Sequence, residues 1–186
     1  MEVFTHTRGL TNGKIILELP VAADEAGAAD YIAEHIAHGE LTSHGTGGLF
    51  DEPYHRWLAM TLGNMRPETV RPGLVTATTF FARRIEDGRI IGMIQVRHEL
   101  NAYLLQYGGH IGYGVRPGER RKGYATQMLG LALQYCVRLC IRRALVTCNL
   151  GNLGSSRTIL ACGGVLENEV TEENGEILQR YWITLP

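Results

Sequence analysis

Apolar residues recur along this chain at two spacings, every second residue in some segments and every third or fourth in others. Lys14 to Leu19 (KIILEL) is a short apolar run closed by Pro20, which predicts a strand. Ala22 to Ala37 predicts a helix with Asp24, Glu25 and Asp30 in its early turns, where acidic groups suit the dipole. His38 to Pro53 is rich in Gly and turn residues and predicts a loop. Trp57, Leu58 and Leu62 then mark one side of a second helix over 54–64. Val75 to Ile85 and Arg89 to Glu99 flank Glu86-Asp87-Gly88, which predicts a hairpin of two well-formed strands. In the second of these, Ile90, Ile94 and Val96 are expected on one face, with Ile91, Met93, Gln95, Arg97 and Glu99 on the other. Apolar residues on both faces predict a strand covered on both sides.

Asn101 to Gly109 is a connector, partly helical, into a strand from His110 to Val115. Ala125, Met128, Leu129, Ala132, Cys136, Leu139 and Cys140 follow as an i, i+3, i+4, i+7 stripe, which predicts a long amphipathic helix. Ala144 to Cys148 is the next strand, and Ser155 to Cys162 a short helix ended by Gly163-Gly164. Val165 to Val170 and Ile177 to Leu185 are two closing strands joined by the polar turn Thr171 to Gly175. The pattern is α/β, and a single domain over 1–186 is the expectation.

The join at Arg120-Arg121-Lys122-Gly123-Tyr124-Ala125 carries the chemistry. It opens a helix without a Ser, Thr, Asp or Asn cap, so the first-turn N–H groups lack partners and the dipole concentrates positive charge there. Gly123 and Ala125 keep the surface low, and the three basic residues add charge, which suits a pyrophosphate. A plain basic surface turn would have the same residues. The Walker A spacing is absent, since Gly123 is followed by Tyr124 and Ala125, and Gly112-Tyr113-Gly114 does not extend to a dinucleotide fingerprint.

This R-x-x-G-x-A turn between a strand and a helix resembles the acyl-CoA-binding motif of the GNAT superfamily of N-acetyltransferases. Asn152-x-x-Ser155 followed by Gly163-Gly164 is similar to a second segment of that family, and the likeness covers roughly residues 75 to 186. The resemblance implies a mixed, mostly antiparallel central sheet flanked by helices and splayed at the strand before the turn. It implies acetyl-CoA as co-substrate, with no metal, held by Arg120, Arg121, Lys122, Gly123, Tyr124 and Ala125, with Asn152 and Ser155 beside them. It also implies that an amide at Gly114 or Val115 contacts the thioester carbonyl. The loop over 38–53 would border the acceptor, an amine on a small molecule, peptide or protein, and family habit makes a homodimer an expectation.

Transfer to an amine needs the amine neutral. A lysine-like amine with a pKa of about 10.4 costs roughly 4–5 kcal/mol to deprotonate at pH 7, whereas an α-amine near 8 costs about 1. Glu99, with its neighbour His98, is the expected base, and His110 a second candidate. Ile159 stands where many of these enzymes carry a tyrosine acid, so Ser155, Tyr113 or water would return the proton. That substitution also leaves open a non-catalytic acyl-CoA-binding module.

Composition adds exclusions. A formal charge of −1 gives no field to recruit nucleic acid or anionic membrane, although Glu167, Glu169, Glu172, Glu173 and Glu176 could draw a cationic acceptor. No apolar run approaches the ~20 residues of a membrane span, and residues 1–9 lack a leader-like core, so a cytoplasmic protein is expected. Cys136, Cys140, Cys148 and Cys162 form no C-x-x-C, which predicts buried reduced thiols.

Overall fold

The computed structural model describes residues 9–186; residues 1–8, part of the stretch read for a leader, lie outside it. A five-stranded antiparallel sheet in the order β1-β2-β3-β4-β5 forms the first layer. Its strands are β1 (Leu10–Thr11), β2 (Ile15–Glu18), β3 (Ala77–Arg84), β4 (Ile90–Arg97) and β5 (Ile111–Val115). A second sheet continues it in space, with β6 (Arg143–Asn149), β8 (Ile177–Thr184) and β7 (Val165–Thr171) in that order. The expected mostly antiparallel sheet flanked by helices is what the chain forms. Among the described residues no helix is long and apolar enough to cross a membrane.

Helices cover both faces of the first sheet. On one side α1 (Glu25–Ala37) and α2 (Tyr54–Gly63) place Ala28, Tyr31, Tyr54 and Trp57 over Phe81, Ile90 and Met93. On the other, α3 (Tyr124–Arg138) sets Met128, Leu129, Ala132, Tyr135 and Cys136 against Phe80, Ile91, Ile94 and Val96. Each fully buried Met or Leu contributes roughly 1.5–3 kcal/mol, so this stripe anchors α3 firmly. The ring of Tyr135 meets Phe80 edge-on at 5.1 Å, and its hydroxyl reaches Thr78 Oγ1 at 3.0 Å. α4 (Leu153–Ala161) packs beside α3.

Two expectations are corrected. Ile90 and Ile91 exchange faces relative to the simple alternation, because the β3–β4 register shifts between Ala82 and Arg83, pairing Gly92 with Ala82 and Ile90 with Arg83. A bulge costs one residue of phase. Cys140 is not on the stripe of α3; it is exposed at φ 60, one residue past the helix cap Leu139, where the backbone turns left-handed.

One buried ion network fixes where β5 ends. Arg116, 1% exposed, donates to Asp30 Oδ2 at 2.7 Å, Glu34 Oε2 at 2.9 Å and the Ile90 carbonyl at 2.8 Å. Glu34 Oε1 also accepts the Gly118 N–H at 2.7 Å. A buried guanidinium persists only when paired in this way, and here the pairing ties α1 to the turn that leads into α3.

Candidate active site

β5 and β6 run side by side only at their start. His110 N–H donates to the Leu145 carbonyl at 2.7 Å, and Leu145 N–H donates to His110 Nδ1 at 3.0 Å. Beyond that point the two strands belong to separate sheets, and a cleft opens between them. On its other edge β5 keeps its ladder to β4, with Gly114 opposite Met93 and Gly112 opposite Gln95. The bonds Arg116 N–H to Ile91 O and Arg97 N–H to His110 O set the alternation of that ladder. The N–H groups of Tyr113 and Val115 therefore point to the open edge, whereas that of Gly114 is turned toward β4.

At the mouth of the cleft the chain passes from β5 through Arg121, at φ 64, and Gly123, at φ 79, into α3. Nothing lies within 4 Å of where a Gly123 side chain would begin, so the first-turn amides of α3 stand open to an anion. The basic residues are less free than the sequence implies. Arg120 holds both oxygens of Glu40 at 2.6 Å, and Lys122 Nζ holds Glu119 Oε2 at 2.9 Å. Arg121 is exposed and has no carboxylate partner among the described residues.

A cavity of about 680 Å³ fills this part of the cleft. Gly114, Val115, Arg120, Arg121, Gly123, Tyr124, Ala125, Asn152 and Ser155 all line it; Lys122 does not. A second cavity of about 450 Å³ lies deeper between the sheets, lined by Arg97, Tyr103, Tyr107, Gly112, Glu172 and Glu176 among others. The two share His44, Tyr113, Asn152 and Ser155. Asn152 caps α4 through its Oδ1, which accepts the Ser155 N–H at 3.0 Å. Ser155 Oγ lies 3.1 Å from Tyr113 Oη, and burial pushes the Tyr113 phenol up to about 12.

The loop over 38–53 closes the cleft from above. It crosses β5 so closely that a side chain at Gly45 would strike the Gly112 carbonyl, and one at Gly114 would strike Ser43 Oγ. Gly112-Tyr113-Gly114 is thus a crossing point for two backbones. Ser43 and His44 reach the cleft on this loop; nothing in their spacing signals it.

The expected bases lie elsewhere. Glu99 is exposed just past β4 and lines neither cavity. His98 hydrogen-bonds Thr78 Oγ1 at 2.8 Å and also lines neither. His110 is spent as the acceptor for Leu145, and burial, with the nearby Arg97 charge, holds its imidazole down at about 4. Ile159 is fully buried in the core.

A family model described as the acetyltransferase (GNAT) family matches residues 48–163. The chain belongs to that family. Solved structures share its fold at low identity. The microcin C7 self-immunity acetyltransferase MccE, in complex with acetyl-CoA and AMP, is 18% identical with a TM-score of 0.71, over 95% of this chain and 99% of that one. The ribosomal-protein-S5-alanine acetyltransferase from Vibrio fischeri is 18% identical with a TM-score of 0.68, over 95% and 96%. An acetyltransferase from Salmonella typhimurium that modifies the N-terminal serine of ribosomal protein L7/L12 is 14% identical with a TM-score of 0.67, over 95% and 98%. No curated protein matches the chain.

The first cavity suits the acetyl-CoA expected as the donor. The open first turn of α3 offers amides for a pyrophosphate, and the splay leaves the β5 edge free beside the cavity.

Proposed function

We propose that the protein moves the acetyl group of acetyl-CoA to a primary amine by direct attack in a ternary complex. The observation that carries this reading is the junction of the two cavities at His44, Tyr113, Asn152 and Ser155. A donor in the first cavity and an amine in the second would meet there, which supplies the proximity that amine attack requires. Cys148 lines the second cavity, but burial pushes its thiol up to about 11, so it stays protonated and is a poor relay for the acetyl group.

In this reading the Val115 N–H, turned to the cleft, holds the developing oxyanion. His44, exposed like Glu99 but shared by both cavities, takes the proton from the amine in place of Glu99, which lines neither. Tyr113, whose phenol stays protonated at neutral pH, returns a proton to the departing thiolate, with Ser155 Oγ 3.1 Å away to orient it.

Thermal denaturation with acetyl-CoA, desulfo-CoA and ATP tests the donor, and amine-dependent thiol release tests the transfer. Stabilisation by both CoA compounds, little by ATP, and release with an amine is the expected result. No stabilisation by either CoA compound overturns the reading. Stabilisation without turnover on any amine returns the site to a purely binding role, the alternative that Ile159 leaves open.

A further inference from the structure

Five arginines among the described residues are withdrawn from bulk solvent: Arg83, Arg84, Arg97, Arg116 and Arg180. Four of them have carboxylates, Arg83 with Glu18 and Asp24, Arg84 with Asp87 and Glu119, Arg116 with Asp30 and Glu34, and Arg180 with Glu167. Arg97 has no carboxylate among the described residues. Its two hydrogen bonds both leave from Nη1, to the carbonyls of Gly108 at 2.7 Å and Gly109 at 3.0 Å. A guanidinium carries five N–H donors in a planar fork. Nε and Nη2 of Arg97 find no acceptor among the described residues, and the side chain lines the second cavity. These donors are not sealed away and face the cavity, so a half-withdrawn cation with part of its fork open is placed to anchor an anion there.

We infer that the acceptor is a small amine that also carries a carboxylate or phosphate, and that Arg97 holds that group in the second cavity. This rests on the acetyl-transfer reading above and narrows its substrate. The cavity is polarised in the sense required. Arg97 belongs to the first sheet, while Glu172 and Glu176 enter from the β7–β8 hairpin of the second. Glu176 takes one hydrogen bond, from Asn149 Nδ2 at 2.9 Å, and Glu172 takes no side-chain bond. The two glutamates would repel an anion on their own side and confine it to the Arg97 end, leaving the ammonium end of the ligand free. Along β5, Arg97 sits beside Gly112, where its Nη2 would lie 3.6 Å from a side chain at that glycine. Val115, the amide assigned to the oxyanion, is three residues further on, roughly 10 Å at the rise of a strand. That span fits an anionic group and an amine on one short molecule, and a cavity of about 450 Å³ holds such a ligand.

Matched pairs of ligands test this directly: an amino acid against its carboxamide, and an aminoalkyl phosphate against the amino alcohol. Each is measured by thermal stabilisation at saturating CoA and by kcat/KM with acetyl-CoA. The anionic member is expected to win by about tenfold or more in either readout, with the two pairs showing which anion is preferred. Arg97→Gln should erase the preference, Arg97→Lys should keep part of it, and both should keep the shift produced by CoA alone. The comparison within the unaltered protein decides the matter even if Arg97→Gln loosens the Gly108–Gly109 turn. Equal behaviour of the charged and neutral members, while CoA still stabilises, overturns this inference alone. Failure of CoA itself to stabilise overturns the acetyl-transfer reading and this inference with it.

Discussion

His110 and Leu145 exchange two hydrogen bonds, and only one of them joins backbone to backbone. The Leu145 N–H is accepted at 3.0 Å by His110 Nδ1, so an imidazole stands where a strand carbonyl would be. This lets β5 and β6 touch once and then part. Because Nδ1 accepts, the proton of the neutral ring sits on Nε2, and protonating the ring would set N–H against N–H. Burial, then the Arg97 charge, lowers the folded pKa to about 4, against about 6.5 in an unfolded chain. Between those values the unfolded state binds more protons, so stability rises with pH. The contribution of neutral His110 is fully present above about 6.5 and is lost as pH falls toward about 4. His110→Gln should lower the Tm at pH 7 yet flatten its pH dependence over that window, by up to about 3 kcal/mol at the acid end. Parallel Tm-versus-pH curves for the two proteins would refute this.

The crossing of Gly45 over β5 gives a second prediction. A methyl group there meets the Gly112 carbonyl and the Tyr113 Cα, which are backbone atoms with nowhere to go, and φ is +77 besides. Gly13 shares the positive φ, at +85, but has open space around it. Gly13→Ala should therefore cost only the left-handed strain, about 1–2 kcal/mol. Gly45→Ala should cost more than that, and should weaken acetyl-CoA stabilisation because Ser43 and His44 are displaced with the loop. Urea denaturation of the two variants decides it; equal costs would mean that the loop can lift freely.

Much of this arrangement was legible in the residues. Among the described residues, apolar periods and runs gave the four α-helices and seven of the eight strands, and the unpaired helix start at Gly123 pointed to the turn that stands open beside the first cavity. The two-residue strand β1 was missed, although Asn12-Gly13 is a hairpin signal and Asn12 Oδ1 does accept the N–H groups of Lys14 and Ile15 at 3.0 Å. Its apolar run is too short to show a period. The second cavity was invisible for a different reason. Arg97, His44, Tyr107 and Glu176 come from four separate elements, and only the splay of two sheets brings them together. Charge misled as well: Arg120 and Lys122 look free in the sequence, but each is closed off by a carboxylate, one of them 80 residues away.

At the cradle, Gly123 has both a left-handed φ and an empty flank. Gly123→Glu places a carboxylate against the pyrophosphate and strains the turn, so the melting shift produced by acetyl-CoA should disappear. Gly123→Ala should keep part of it, since the strain remains but the charge does not. The ratio of the two shifts separates electrostatics from backbone conformation, and similar losses in both would assign the effect to the backbone.

The junction residues should separate by kinetic signature. His44→Ala removes the base and should lower kcat/KM by roughly 10²-fold or more, with a partial recovery as pH rises and the amine deprotonates unaided. Tyr113→Phe removes the proton donor and should lower kcat by about tenfold or more while leaving KM for acetyl-CoA nearly unchanged. Glu99→Gln, in contrast, should leave both constants as they are, because Glu99 faces solvent outside either cavity. A large effect at Glu99 would restore it as the base and remove His44 from that role.

Glu40 presents the opposite problem, a carboxylate lining the cavity proposed to take the CoA anion. Its pKa is lowered to about 2, first by the hydrogen bonds from Arg120 and then by His35, whose Nδ1 lies 2.8 Å away. With the folded pKa depressed, its stabilising effect is present above the unfolded value of about 4.5 and is lost only as pH falls through about 2, so ordinary pH does not release Arg120. Replacement does. Glu40→Gln removes a negative charge worth about 1 kcal/mol at 4 Å even in water and frees a guanidinium beside the cradle. CoA should bind several-fold more tightly to the variant, with a steeper salt dependence, while the loop over 38–53 loses its tie to Arg120 and the Tm of the free protein falls. Calorimetric titration at two ionic strengths measures the first effect. Weaker binding by Glu40→Gln would show that the Glu40–Arg120 pair shapes the cleft more than it competes for the ligand.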